Sequence, residues 1–442
     1  MSKYIINGGE PLGGEVFIRG AKNASYKQII ASMLTDEAVE LTNMPQISDV
    51  SITKSIATCL GTKIEAIGEH GLLMQTKNIE GTVVPSGTGE KSRTSFIFTG
   101  PLLARAGEIT FPSPGGDKLG ERPLDRLFAC LKQMGVTVIK NEDSYTLKAD
   151  KLVGTDYTFP KPSHTSTEVA LMSAVMAEGE TVIRNAACEP EIDDLIELMN
   201  SMGGKIKREE NNPATIYISG VKKLHGAAHQ VISDRNEAVT FACAALSTKG
   251  TISILRTDPK IIATFLRTIE QMGAKTNWGK DEVMVSWIKP LKAVSVETGP
   301  EPEFMTDWQA VFSLVLTQAV GVSSLIERVF PSRFQHIGLL NQMGAKTKFF
   351  QPEIENPEEY YYFNPESDKP EFFHGVKIYG PGKLKPTNLQ VSDLRAGATT
   401  TLAALTAEGE STIDGVEYIE RGYEKLADRL KSLGARIKYV KT

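Results

Sequence analysis

The chain has 442 residues, 41% hydrophobic and 23% charged, with 54 acidic and 49 basic side chains and a net charge of −5. That length allows two or more domains with sizeable cores. The charge balance gives no reason to expect nucleic acid or an acidic membrane surface as partner, so an anion site must be a local concentration of Lys and Arg.

The chain opens on MSKYIINGGEPLGG, without the basic and apolar regions of a signal peptide. No apolar run approaches the length of a membrane span. A cytoplasmic protein is expected, and the four cysteines, Cys59, Cys130, Cys188 and Cys243, are expected as reduced core thiols because they lack CxxC spacing.

From there one unit recurs. A Leu-Gly or Met-Gly pair closes a helical pattern at Gly61, Gly135, Gly203, Gly273, Gly344 and Gly434. In the last copy Tyr423, Leu426, Leu430 and Leu433 share a helical face, Gly434 stops it, and ARIKYV alternates like a half-exposed strand. Upstream in each copy lies a helix rich in Ala, Ser and Thr, as in Thr167–Gly179, Ala238–Gly250 and Asp393–Gly409. Such helices have little polar face and are expected to be buried on most sides. Strands follow at Thr181–Asn185 and Ser411–Asp414. Units of roughly 70 residues exceed the roughly 20–50 of solenoid repeats. Six copies exceed one core, so two domains of three copies each are expected, with buried helices and sheets outside.

Basic residues recur at the openings of the buried helices: Lys22 in GAKNAS, Arg93 in KSRTS, Arg235 in SDRNE and Arg395 in SDLRAG. Others lie near the second helix of a copy: Arg122, Arg333 and Arg421. Cations at helix N-termini suit phosphate or carboxylate, although each alone could be a solvated surface charge. Asp234 and Asp393 are good N-caps. Asp307 in MTDWQA could cap its helix or, held ionised among cations, accept a proton from a bound hydroxyl. The Gly/Pro-dense stretch from Pro112 to Pro123 is a candidate lid or a long connection. His225 and His229 read as surface residues, and no metal-binding, GxSxG or GxGxxG pattern occurs.

In order along the chain, GAKNA, SRTS, PGG-D-KLGERPLD, EPEI, SDRNE, TDWQA, SRFQH, SDLRAG and ERGYE resemble the enolpyruvyl transferase family, on the side of its cell-wall members. The resemblance runs through nearly the whole chain. It implies an α+β fold: a two-domain inside-out α/β barrel of six βαβαββ-type units, three per domain. One domain would hold residues 1–21 plus 231–442. The other would hold 22–230 and carry the lid loop 112–123, with substrates in the cleft between the two. The implied reaction moves the enolpyruvyl group of phosphoenolpyruvate to the 3-hydroxyl of UDP-N-acetylglucosamine by addition and elimination. Phosphate is released, no cofactor or metal is needed, and the product opens peptidoglycan precursor synthesis.

Position by position, Lys22 would contact phosphoenolpyruvate and Asn23 the sugar nucleotide. Arg93 and Arg122 would lie at the substrates, and Arg395 and Arg421 would grip phosphate and carboxylate. Asp307 would deprotonate the 3-hydroxyl, assisted by Arg333 and Asp393. Ser163 and Val329 complete the substrate contacts. Asp117 stands where the family usually has a lid cysteine; it can transfer a proton but cannot form a thioether, which implies resistance to fosfomycin. Other departures are Ser48, Leu127, the turn Ser163-His164-Thr165 and an insert rich in Tyr, Pro and Glu around Gln351–Thr387. These leave open another nucleotide or nucleotide-sugar acceptor, or a non-catalytic UDP-sugar-binding role.

Overall fold

A computed structural model describes residues 2–89, 93–114 and 124–441. The chain forms two compact units, one running to Arg19 and resuming at Ser233, the other running from Gly20 to Ile232. Each has its own hydrophobic core. Among the described residues no helix is long and apolar enough to cross a membrane.

Each unit carries three sheets, and all six follow one order. In the unit from Gly20 to Ile232, Asp156–Thr158 runs parallel to Glu180–Arg184, which pairs antiparallel with Ile216–Ser219, itself paired with Lys205–Arg208. Ala227–Gln230, Ala38–Thr42, Gly71–Gln75 and Lys63–Ile67 repeat that order. The third sheet repeats it with the parallel strand reduced to a bridge between Val83 and Thr110. In the other unit the parallel pairs are Gly13–Phe17 with Thr251–Leu255, Ser295–Gly299 with Gly321–Ile326, and Asn388–Gln390 with Gly409–Asp414. The N-terminal strand Lys3–Gly8 takes the third place in the last of these sheets, between Gly409–Asp414 and Arg436–Val440. The repeat is therefore βαβαββ, with strands at the start of the chain completing copies at its end.

The helices rich in small residues are buried as expected. All thirteen residues of Arg235–Ser247 are buried. It packs against Gln309–Gln318 and Leu394–Thr406 within the same unit. Hydroxyls survive there because each bonds a carbonyl one turn back: Thr240 to Asn236 O at 2.7 Å, Ser313 to Gln309 O at 2.8 Å, Thr400 to Ala396 O at 2.7 Å. Small side chains let such helices approach closely at interior packing density. At the ends of the outer helices, the six repeat glycines all have positive φ, from 91° at Gly135 to 106° at Gly61. Each is the left-handed stop that a side chain would strain.

Three expectations are corrected. Cys59 is exposed and Cys188 only partly buried, so two of the four free thiols are not core residues. The last outer helix starts at Leu426, which leaves Tyr423 ahead of it; its ring lies in the same core as Leu426, Leu430 and Leu433, while its hydroxyl accepts from Arg395. The insert is shorter than its composition implies. Strands Lys346–Phe350 and Gly375–Gly380 are the regular hairpin pair, so the excursion is confined to residues 351–374. Arg328 holds it from the neighbouring strand end: its Nη1 is 2.6 Å from Glu303 Oε2, its Nε donates to Tyr360 O at 3.2 Å, and it lies over the Tyr360 and Tyr362 rings at 4.5 and 5.1 Å.

Candidate active site

In the unit from Gly20 to Ile232, Lys22 is the first residue of helix Lys22–Ala31, and its Nζ lies 2.9 Å from Asp49 Oδ2. Asn23 follows it in the first turn. Arg93 precedes the short turn Ser95–Phe98 and lies over the Phe96 ring at 5.2 Å. Ser163 occupies the N-cap position of helix His164–Ala174, and its Oγ donates to Ser166 Oγ at 2.8 Å. Asp117, Arg122 and most of the expected lid lie outside the described residues.

A charged cluster in this unit was not expected. Lys27 Nζ is 2.7 Å from Glu168 Oε1, and His164 Nε2 is 3.1 Å from the same oxygen. Burial lowers the Lys27 pKa, but Glu168 outweighs it and holds the ammonium above its ordinary value. The same balance raises His164. His229 is also not a surface residue: its Nε2 lies 2.9 Å from Asp194 Oδ1 and its side chain is largely covered. The spacing HGAAH hides this because the partner is 35 positions away.

In the other unit three elements converge. Asp307 lies in the turn Thr306–Trp308 ahead of helix Gln309–Gln318. Its carboxylate receives Arg333 Nη2 on Oδ1 and Arg395 Nη2, at 3.3 Å, on Oδ2. Arg395 opens helix Leu394–Thr406, which Asp393 caps by accepting from Ala396 N at 2.8 Å. Asp234 caps Arg235–Ser247 in the same manner, with Asn236 N at 2.7 Å. Arg395 Nη1 donates to Tyr423 Oη at 3.0 Å, and Tyr423 Oη bonds Thr240 Oγ1 at 2.8 Å. Burial lowers the Arg395 pKa, while Tyr423, Asp307 and Asp234 raise it above the ordinary value, so the guanidinium is a fixed charge. Arg235 is fully buried, with Nη1 2.6 Å from Glu301 Oε2 and its guanidinium 5.8 Å from the Trp308 ring centre. Arg421 lies between Val416–Ile419 and Leu426–Ser432 and is partly buried. Val329 follows Glu327, whose Oε1 accepts its N–H at 2.8 Å.

Within this unit Asp307, Arg333 and Arg395 are therefore in direct contact, while Asp393 sits one turn away as a cap. Hydrogen bonds of this kind, between guanidinium and carboxylate, are charge-assisted and among the stronger ones in proteins. Thr306, Glu327 and Tyr423 join this network without having been expected as site residues.

The family model for EPSP synthase (3-phosphoshikimate 1-carboxyvinyltransferase) matches residues 6–430. The chain belongs to this enolpyruvyl transferase family. It is 36% identical over 443 positions to the UDP-N-acetylglucosamine 1-carboxyvinyltransferase of Koribacter versatilis, covering 100% of this chain and 97% of that protein. The enzyme of the same name from Acinetobacter baylyi is 36% identical over 442 positions, with 100% of both chains covered. Among solved structures, the enolpyruvyl transferase NikO from Streptomyces tendae superposes with a TM-score of 0.86 at 22% identity, covering 100% of this chain and 99% of that one. An EPSP synthase from Acinetobacter baumannii gives 0.71 at 19%, with 100% of both chains covered. These structural likenesses support the inside-out fold of the family, with two units of three βαβαββ copies.

Proposed function

We propose that this enolpyruvyl transferase moves the enolpyruvyl group of phosphoenolpyruvate to the 3-hydroxyl of UDP-N-acetylglucosamine and releases phosphate. The acceptor follows from the full-length relatives, which carry that activity in their names at 36% identity. The observation that carries the chemistry is the Asp307 carboxylate bound by both Arg333 and Arg395. That geometry supports reading Asp307 as a proton acceptor, with two cations suited to phosphate and carboxylate charge beside it.

In this reading Asp307 takes the 3-hydroxyl proton as the oxygen attacks C2 of phosphoenolpyruvate. Asp117 supplies the proton that the methylene carbon gains. The tetrahedral adduct then expels phosphate, and loss of a methyl proton regenerates the enol ether. Lys22, Arg93, Arg122, Arg395 and Arg421 stabilise the phosphate and carboxylate charges. Asn23, Ser163, Val329, Arg333 and Asp393 place the acceptor and the groups around it. Residues 1–21 with 231–442, and 22–230, act as the two catalytic domains. The work is cytoplasmic, and the product commits sugar nucleotide to peptidoglycan and so to cell shape and division.

A phosphate-release screen with phosphoenolpyruvate and a panel of uridine nucleotides tests the reading. Release that requires UDP-N-acetylglucosamine is the expected result, with Lys22→Ala and Asp117→Ala as low-activity controls. Release only with a different nucleotide would reassign the acceptor. The altered turn at His164, tied to Glu168 at 3.1 Å, is the feature that makes the second arm worth running.

A further inference from the structure

Glu327 is 1% exposed, and its carboxylate bonds Val329, Phe330 and Thr306 beside the proposed catalytic network. Its Oε1 accepts from Val329 N at 2.8 Å and Phe330 N at 3.0 Å. Its Oε2 accepts the Thr306 hydroxyl proton at 2.8 Å. Thr306 has one hydroxyl proton, so giving it to Glu327 leaves the oxygen to accept from Arg333 Nη1 at 3.2 Å. The direction of the chain is thus fixed, from Arg333 through Thr306 to the Glu327 carboxylate. Thr306 is the neighbour of Asp307, and Arg333 binds the Asp307 carboxylate.

We infer that Glu327 is a positioning residue for the transfer, fixing the acceptor contact Val329 and, through Thr306, the geometry of Asp307 with Arg333. This rests on the function proposed above. A purely structural role fits poorly. Burial raises the Glu327 pKa, opposed by Arg333 and by its bonds to Thr306, Val329 and Phe330. A buried charge of this kind is weak as a source of stability. The backbone on either side is held independently: Glu327 N donates to His374 O at 2.8 Å, and Arg328 N to Thr298 Oγ1 at 3.0 Å. Replacing the carboxylate by an amide therefore leaves the turn supported. It does set an N–H2 donor against either two backbone N–H groups or the Thr306 hydroxyl, which breaks the relay without changing shape.

Steady-state kinetics of the parent, Glu327→Gln and Thr306→Val test this, with the thermal midpoint measured alongside. Glu327→Gln is expected to raise KM for UDP-N-acetylglucosamine and lower kcat, cutting kcat/KM on the order of 10- to 100-fold as for a small misplacement of reacting groups. Its midpoint is expected to fall modestly with the protein still fully folded at the assay temperature, because the amide N–H2 faces donors in a buried site. Thr306→Val leaves Val329 held and is expected to lower kcat with KM for the acceptor little changed. Parental kinetic constants in both variants would overturn the inference. So would a fall in midpoint and active fraction with KM unchanged. A parent that does not turn over UDP-N-acetylglucosamine would remove the proposed function and this inference together, which separates the two failures.

Discussion

Arg395 Nη2 lies 3.3 Å from Asp307 Oδ2, joining residues 88 positions apart at the openings of two different buried helices. The repeat produces this contact. Each copy brings a helix N-terminus to an equivalent place, so a cation in one copy meets a carboxylate in another. Asp307→Asn should keep the shape and remove the proton acceptor. The expected result is a fall in kcat of about 10²- to 10⁴-fold, read from phosphate release, with the circular dichroism spectrum unchanged.

The cluster of Lys27, Glu168 and His164 makes a separate prediction about stability. Glu168 is wholly buried and Lys27 nearly so. Lys27→Met leaves the carboxylate with one partner, and breaking such a buried pair costs about 3–5 kcal/mol. Chemical denaturation should show that loss as a lower midpoint at an unchanged slope.

The same cluster sets a pH dependence. Burial lowers the His164 pKa, but Glu168 outweighs it, so the folded value stands above the ordinary 6.5. A raised folded pKa gives stability that is full below the unfolded value and lost as pH rises through the folded one. The parent should therefore lose thermal stability as pH rises above about 6.5 more steeply than His164→Gln. Parallel curves for the two proteins would contradict this.

Arg328 staples the insert of residues 351–374 through Glu303, Tyr360 and Tyr362. Tyr362 N also donates to Arg328 O at 2.8 Å, a bond the side chain does not supply. Arg328→Met should thus loosen the insert without unfolding the sheet. Hydrogen exchange should speed up within 351–374 and stay unchanged in the buried helices.

Asp117 supplies a further prediction in the presence of fosfomycin. A carboxylate cannot form the thioether that a lid cysteine forms with that epoxide. Preincubation should leave activity unchanged, and Asp117→Cys should become inactivated with time. Time-dependent loss in the parent would contradict the assignment of Asp117.

Much of this was legible in the sequence because local chemistry fixed it. A left-handed stop needs glycine, so the six repeat glycines marked the outer helices. Asp234 and Asp393 stood where caps belong and are caps. Helices of Ala, Ser and Thr announced their burial, since their hydroxyls bond within the helix. What was not legible depends on partners far along the chain. Tyr423 read as one more apolar position, but its hydroxyl meets Thr240, 183 positions away, and Arg395. Asp307 read as either a cap or a base, and the approach of Arg333 and Arg395, 26 and 88 positions away, has no signal in the local sequence. Lys27 carries no pattern until its helix meets the one on which Glu168 stands four residues after His164. The insert looked longer than it is because one of its ends is an ordinary repeat strand.

The most direct test is identification of the product. The protein is incubated with phosphoenolpyruvate and UDP-N-acetylglucosamine, and the nucleotide sugar is analysed by mass spectrometry and proton NMR, with Asp307→Asn in parallel. The expected result is one enolpyruvyl group at O3 of the sugar, with vinyl proton signals, formed by the parent and far more slowly by Asp307→Asn. An unmodified sugar nucleotide alongside an active transfer to another acceptor, or equal rates for the two proteins, would contradict it.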